Sequence, residues 1–258
     1  MILSSDYIDS LCRFRKLSEE PELFATLVND PDPRIRLRVA ERKDAPSAVL
    51  QCLAKDTELS VRNVLSRNPS TPKDVLTSLA NEADFKVRNG VAQNRSTPPL
   101  TLVKLSRECE PKLSEILAKN VRTPAETLAA LAKHESEVVR LNVVRNRNTK
   151  TETIKLLVDD VSDEVRMAIV HHSFCQDDLE KIIEKLSRDK SHHIRVQIAR
   201  HSRVSTTILS QLSDDENYVV RMFVAGRDIT PDAVLEKLSY DDSVQVRAAV
   251  ARSMLPNL

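Results

Sequence analysis

Residues 87–106 have the sequence VRNGVAQNRSTPPLTLVKLS, and residues 61–80 repeat its pattern as VRNVLSRNPSTPKDVLTSLA. Both stretches share a Val-Arg pair, an apolar and a small residue four and five positions after the valine, an asparagine, a Thr-Pro pair and two spaced leucines. The copies begin at Val61 and Val87, and the interval between these valines sets the period. A fixed period of this size indicates a repeat protein.

The period continues along most of the chain. The arginine recurs at the same interval, except for one longer step, from Arg166 to Arg195, and one position where Ser114 replaces it. This arginine column consists of Arg36, Arg62, Arg88, Arg140, Arg166, Arg195, Arg221 and Arg247. An apolar residue precedes each arginine, another apolar residue follows four positions later, and a mostly small residue comes next. Two leucine-like columns, which begin at Leu50 and Leu53, occupy the second part of each repeat.

The spacing of these apolar columns predicts two short helices per repeat, each of about eight to eleven residues. Such helices are unstable alone, so the repeats must stack to bury their apolar faces. We therefore expect an all-α solenoid of about eight and a half 26-residue two-helix repeats. Residues 1–30 should form an N-terminal cap and a half repeat, in which 21–28 resembles a second helix. Residues 31–258 should form the solenoid, with a longer loop at 173–177 in the irregular repeat near 166–194.

Helix boundaries are marked by two recurrent signals. Thr-Pro pairs, at 71–72, 97–98, 123–124 and 230–231, predict a threonine N-cap with proline at the first position of the second helix. Asparagines recur where the first helix should end, at Asn68, Asn94, Asn120 and Asn146. Asparagine often replaces glycine in a left-handed C-cap, so these residues predict that conformation.

The combined pattern resembles the leucine-rich repeat variant family, and the resemblance extends over nearly all of residues 31–255. It implies a right-handed superhelix in which α-helices alternate with short α- or 3₁₀-helices, within the wider HEAT-like group. Two features differ from that family: the repeats here are slightly longer, and the cysteine cluster that holds an iron–sulfur centre in some members has no counterpart. Cys12 alone cannot hold such a cluster, so we expect no cofactor.

Composition excludes several other folds. The chain has 258 residues but only two glycines, Gly90 and Gly226, and no tryptophan. Dinucleotide-binding and P-loop folds need glycine beside phosphate, and hairpin-rich folds need it in turns. The 39 basic and 38 acidic residues give a net charge of +1, so bulk charge favours neither nucleic acid nor membrane.

Targeting and redox signals are weak. The N-terminal residues lack the pattern of a signal peptide, and no stretch has the length and apolarity of a membrane span. The cysteines at 12, 52, 109 and 175 are isolated, which favours reduced thiols. We therefore expect a cytoplasmic protein.

The arginine column has two interpretations. Regularly spaced guanidinium groups could follow a phosphate backbone. Alternatively, each arginine could bind the acidic residues or carbonyls of an adjacent repeat and form a structural ladder. We favour the ladder, because a solenoid repeats its packing and need not repeat its binding contacts.

A second basic set occupies the loops that join the first helix to the second. We call it the basic edge, and it is a candidate site for an anion or a partner. Its members are Arg67, Arg95, Arg122, Arg145, Arg147, Lys150, Arg200, Arg203 and Arg227. The loops at the other helix ends are acidic. Charges that complement the helix dipoles would give the same alternation, so this explanation remains open.

His172 and His201 are the histidines that most suggest a metal site, since they occupy one column in adjacent repeats. A stacked helix spacing of about 10 Å is too wide for easy zinc ligation, so we expect no metal site.

No nucleophile–base set or known catalytic motif occurs, and we expect neither an enzyme nor a small-molecule substrate. The sequence favours a non-catalytic scaffold with an unidentified protein partner. Binding of nucleic acid or another polyanion through the basic edge is the alternative.

Overall fold

A computed structural model describes residues 21–108, 110–172 and 176–254 of the chain. Within these residues, every element of regular secondary structure is a helix. The helices are α1 (Pro21–Leu27), α2 (Pro33–Glu41), α3 (Ser47–Leu53), α4 (Leu59–Arg67), α5 (Lys73–Leu79), α6 (Phe85–Gln93), α7 (Pro99–Leu105), α8 (Pro111–Lys119), α9 (Ala125–Leu131), α10 (Glu137–Arg145), α11 (Thr151–Leu157), α12 (Asp163–Val170), α13 (Gln176–Leu186), α14 (His192–Arg200), α15 (Thr206–Leu212), α16 (Tyr218–Ala225), α17 (Asp232–Leu238) and α18 (Val244–Ser253). The expected all-α solenoid is confirmed.

Two kinds of helix alternate. First helices, such as α2 with nine residues, bury the apolar column residues, for example Ile35, Val39 and Ala40. Second helices, such as α3 with seven residues, bury the paired leucines Leu50 and Leu53. Helix α1 also has seven residues, as a half repeat requires. The hydrophobic columns of the sequence are thus the core of the protein.

The helices form two compact units: an N-terminal half, Met1–Asn148, and a C-terminal half, Thr149–Leu258. In the N-terminal half, α2 packs on α4, α4 on α6, α6 on α8 and α8 on α10. In the C-terminal half, α12 packs on α14, α14 on α16 and α16 on α18. Second helices contact the first helix of the next repeat, as α5 contacts α6 and α15 contacts α16.

The three extra residues of the irregular repeat lie in a helix. Helix α13 has 11 residues, against seven in the other second helices, and α12 has eight. The predicted longer loop at 173–177 falls mostly outside the described residues and stays a prediction.

The threonines of the Thr-Pro pairs cap the preceding helix instead of the following one. Thr97 Oγ1 donates a hydrogen bond of 2.6 Å to the carbonyl of Val91 in α6, and Thr71 does the same to Leu65 in α4. The N-cap of each following helix is the proline, for example Pro72 and Pro98. The predicted threonine N-cap was wrong. The hydroxyl instead satisfies one of the free carbonyls at a helix C-terminus.

The asparagines end the first helices in extended, not left-handed, conformation, so that prediction was also wrong. Asn94 is a C-cap with φ −70° and ψ 123°. Its Nδ2 donates to the carbonyls of Ser66 (3.0 Å) and Asn68 (2.8 Å) in the preceding repeat, and its Oδ1 accepts the N–H of Ser96. Asn68, Asn120 and Asn146 make equivalent bonds. The column is therefore a buried asparagine ladder between repeats.

Parts of the sequence-based expectations fall outside the described residues. These are the N-terminal cap at 1–20, residues 173–175 of the irregular repeat, and the cysteines at 12, 109 and 175. Cys52 has a free, exposed thiol. Across the described helices, none has the length and apolarity that a membrane span requires. The division into residues 1–30 and 31–258 stays a prediction.

Candidate functional site

Six arginines of the arginine column link their repeat to the next one. Arg166, in the first turn of α12, donates from Nε and Nη2 to both oxygens of Asp189 at 2.7 and 2.9 Å. Its Nη1 donates to the carbonyl of Asp160, 2.6 Å away, in the loop before its own helix. The side chains of Arg166 and Asp189 are only 4% and 5% exposed. One guanidinium thus joins two acidic loops, bidentately at one of them.

The same arrangement recurs through both halves. The ion pairs are Arg36–Asp56, Arg62–Glu82, Arg88–Glu108, Arg195–Asp215 and Arg221–Asp241. Arg140 donates to the carbonyls of His134 and Glu135, and Arg247 to those of Asp241 and Asp242. In each of these five ion pairs the acid stands at position i+20 relative to its arginine, a register that the sequence analysis missed.

The ion pairs perturb the acidity of their carboxylates. Hydrogen bonds from Arg221 lower the pKa of Asp241 below its ordinary value of 3.8. Burial raises the pKa of Asp189, but the hydrogen bonds from Arg166 and from the Ser191 N–H outweigh burial, so the net shift is downward. The charges of the ion-paired arginines in this column are therefore neutralised by carboxylates of the fold.

One position of the ladder has lost both partners. Ser114 stands in the arginine column, and His134 stands at the matching i+20 position, where an acid would be. His134 Nδ1 accepts the Ser136 N–H at 3.0 Å, as Asp160 Oδ1 accepts the Ser162 N–H elsewhere. The acid is thus absent where its arginine is absent. This indicates that the acids at the i+20 position serve as partners of the arginines.

Residues of the basic edge have a different environment. Eight of the nine are exposed, and Arg227 is half-buried. Five of them form no ion pair with any carboxylate of the described residues and lack other side-chain partners there, namely Arg95, Arg122, Arg145, Arg147 and Arg203. Arg67 donates to the carbonyl of Asn63, and Arg200 lies over the ring of Phe223, 5.1 Å from its centroid. The edge therefore presents guanidinium groups whose charge is not neutralised within the described structure.

Two surface pockets include residues of the basic edge. In the N-terminal half, Arg95 and Lys119 line a pocket of about 320 Å³ with Gln93 and Val121. In the C-terminal half, Arg200 and Arg203 line another with three histidines. Arg122, Arg145 and Arg147 lie outside both pockets. Within the described residues, no three histidine, cysteine or acidic side chains cluster as metal ligands.

In the C-terminal half, several lysines bind carboxylates. Lys185 binds Asp159 at 2.5 Å, and Lys237 binds Asp214, in the acidic loops. Lys155 binds Asp178 and Glu152, which lie in the first turns of α13 and α11, and their hydrogen bonds raise the pKa of that lysine. The charges of these three lysines are therefore neutralised, unlike those of the five unpaired arginines of the basic edge.

No family model matches the sequence, and no curated protein matches it. The structure is similar to a solved leucine-rich repeat variant, described as having a novel repetitive structural motif. The two share 21% identity over 94% of this chain and 97% of that chain, with a TM-score of 0.62. An engineered protein matches at 14% identity over 91% and 87% of the chains, with a TM-score of 0.38. A designed armadillo repeat protein, solved with the peptide (KR)4, matches at 15% identity over 91% and 97%, with a TM-score of 0.20. The first similarity confirms the fold that the sequence resemblance implied.

Proposed function

We propose that this protein is a non-catalytic scaffold whose basic edge binds an acidic segment of a partner protein. The observation that carries this proposal is the contrast between two sets of arginines in one fold. The column arginines bind carboxylates or carbonyls of the repeats, whereas Arg95, Arg122, Arg145 and Arg147 of the N-terminal half have no carboxylate partner among the described residues. Exposed, unpaired guanidinium groups are available to an external anion.

Helix dipoles explain only part of the edge. Arg67 and Arg145 are the last residues of α4 and α10, where a cation complements the helix C-terminus. Arg122 and Arg147 lie beyond the ends of α8 and α10. Because the dipole effect decays within the last turn, it gives these two loop arginines little stabilisation. Their charge is therefore better explained by an external ligand.

The test measures binding of a labelled oligoglutamate peptide by fluorescence anisotropy. Reversing Arg122 and Arg147 to glutamate should weaken binding about tenfold at low salt, because two favourable charge contacts become repulsive. The control variant reverses Lys86 and Lys133, which are exposed near the start of α6 and in the loop before α10. This control variant has the same net charge as the Arg122 and Arg147 variant, but its substitutions lie on the acidic edge. Equal loss in both variants would show that only net charge matters and would contradict the proposal.

Nucleic acid is the second candidate ligand for the same edge. The recurrence of unpaired cations in successive repeats favours it, since a polyanion presents charges at regular spacing. The described basic loops contain no Phe, Tyr or Trp on which bases could stack. Titration with duplex DNA at about 50 and 200 mM salt separates the candidates. Tighter binding of DNA than of oligoglutamate, with a steep salt dependence, would favour the nucleic acid.

A further inference from the structure

The asparagine ladder stops at the boundary between the two halves. In the N-terminal half its column holds Arg42 and then Asn68, Asn94, Asn120 and Asn146, and in the C-terminal half the same column holds His172, His201, Arg227 and Ser253. Arg227 makes hydrogen bonds to the preceding repeat as the asparagine amides do, because it donates to the carbonyls of Arg200 and His201 at 3.3 and 3.4 Å. These bonds are longer than those of the asparagines, and Arg227 Nε is buried without a partner among the described residues.

A pocket of about 520 Å³ lies beside this altered column in the C-terminal half. Its polar lining consists mainly of His171, His172, Gln197, Arg200, His201 and Arg203. Val170 and Leu179, both buried, contribute apolar surface. The volume falls in the range of about 300–1,000 Å³ that is typical of small-ligand sites. The pocket is therefore large enough for an anionic group and the organic moiety attached to it.

None of the described residues that line the pocket is acidic. A second pocket of the same half, on the acidic edge, has cations in its lining too, but there Arg166 binds Asp189 and Lys185 binds Asp159. The carboxylate nearest in sequence to the described lining residues, Asp178, binds Lys155. Among the described lining residues, no acid matches the positive charge of Arg203 or the donors of His171 and His201.

His201 is oriented as a donor. Its Nδ1 accepts the backbone N–H of Arg203 at 3.2 Å, so the proton of the neutral ring lies on Nε2. Burial lowers the pKa of His201, and the positive charges of His171, Arg203 and Arg227 lower it further. No carboxylate of the described residues opposes this effect, which marks the surroundings of His201 as electropositive.

We propose that this pocket binds the phosphate of a phosphomonoester, held by Arg200, Arg203 and His201 with His171 of the preceding repeat. A phosphomonoester carries nearly two negative charges and three terminal oxygens, so it matches several donors that approach from two repeats. A single carboxylate, with one charge and two oxygens, would leave more of these donors unmatched. Arg200 and Arg203 belong to the basic edge, but the phosphate site uses them in the pocket of the C-terminal half, whereas the test of the scaffold uses Arg122 and Arg147 of the N-terminal half.

The test titrates the full chain with inorganic phosphate, O-phosphoserine, and a phosphoserine peptide with its unphosphorylated twin, by isothermal titration calorimetry. Arg203→Ala and His201→Asn should each weaken binding of the phosphorylated ligands at least about tenfold. The second substitution installs the amide that the N-terminal half carries in this column. Lys133→Ala is the control, since it also removes one exposed cation but lies on the acidic edge outside this pocket, and it should leave affinity unchanged.

The ligands distinguish the source of the phosphate. Equal affinities for inorganic phosphate and the phosphopeptide would support a site for the phosphoryl group alone, and tighter binding of the phosphopeptide would support a modified protein as its source. Binding of the unphosphorylated peptide with equal affinity would overturn the proposal. So would a Lys133→Ala loss equal to that of Arg203→Ala, or the absence of any phosphate binding. Oligoglutamate binding to the basic edge tests the scaffold separately.

Discussion

At the residue scale, burial distinguishes ion pairs that look alike in the sequence. Arg166 and Asp189 are almost fully buried, whereas Glu82, the partner of Arg62, is 27% exposed. Loss of one member of a buried pair leaves an uncompensated charge, and loss of an exposed partner leaves a group that water can solvate. Equivalent positions of the ladder should therefore respond differently to the same change.

Asp189→Asn should lower the free energy of unfolding by about 3–5 kcal/mol, because the Arg166 guanidinium would stay buried without its counter-charge. Glu82→Gln, which also replaces a carboxylate by its isosteric amide, should cost about 0–1 kcal/mol. Chemical denaturation followed by circular dichroism measures both. Equal losses would show that burial does not set the strength of these pairs.

At the element scale, the two glycines set different constraints. Gly90 lies in α6, where α6 packs on α4, and a Cβ there would lie 1.8 Å from Ser66 Oγ and 2.9 Å from Ser66 Cβ. Gly226, the C-cap of α16, has φ −87°, and a Cβ there would meet no atom closer than 3.7 Å. Only the first glycine is required by the close approach of two helices.

Gly90→Ala should destabilise the protein by about 1–3 kcal/mol, because α4 and α6 must separate to admit the methyl group. Gly226→Ala should change stability by less than about 0.5 kcal/mol. Adding Ser66→Gly to Gly90→Ala should recover part of the loss in a double-mutant cycle measured by thermal denaturation. Additive losses from these two substitutions would rule out the steric explanation.

At the scale of the whole molecule, the ladder predicts how stability depends on pH. The pKa values of Asp56, Asp189 and Asp241 are lowered in the folded protein, relative to an ordinary 3.8. A carboxyl with a lowered folded pKa contributes stability above its unfolded pKa, and that contribution is lost as the pH falls through the folded value. The effects of separate repeats should add.

We therefore expect the free energy of unfolding to be nearly constant from about pH 7 to pH 5 and to fall steeply below about pH 4. Urea denaturation at successive pH values measures this profile. Asp189→Asn supplies the control, because its profile should fall less steeply in acid. A wild-type stability that stayed constant down to about pH 2 would exclude the ladder as a source of acid sensitivity.

The sequence predicted structure within a repeat better than contacts between repeats, because the partners in those contacts are far apart in the chain. The apolar columns predicted the helices and core, because helical periodicity is local to each repeat. The threonine, asparagine and acidic partners could not be assigned in the same way. Asn94 bonds carbonyls of Asn68 and Ser66 in the preceding repeat, and Arg62 binds Glu82 beyond the following helix. Those contacts depend on the stacking register of adjacent repeats. Local capping rules describe single helix ends and therefore cannot predict this register.

The Ser114–His134 position suggests an order of mutational steps. An ancestral repeat with both Arg and acid could lose either one first. Loss of the acid would leave a guanidinium that still donates to two carbonyls, as Arg62 does to Asp56 and Thr57 beside its ion pair. Loss of the arginine would leave a carboxylate without its counter-charge and two carbonyls without a donor. Ser114→Arg, which restores the arginine opposite His134, should therefore lower stability less than His134→Asp, which places a carboxylate opposite Ser114, as measured by thermal denaturation.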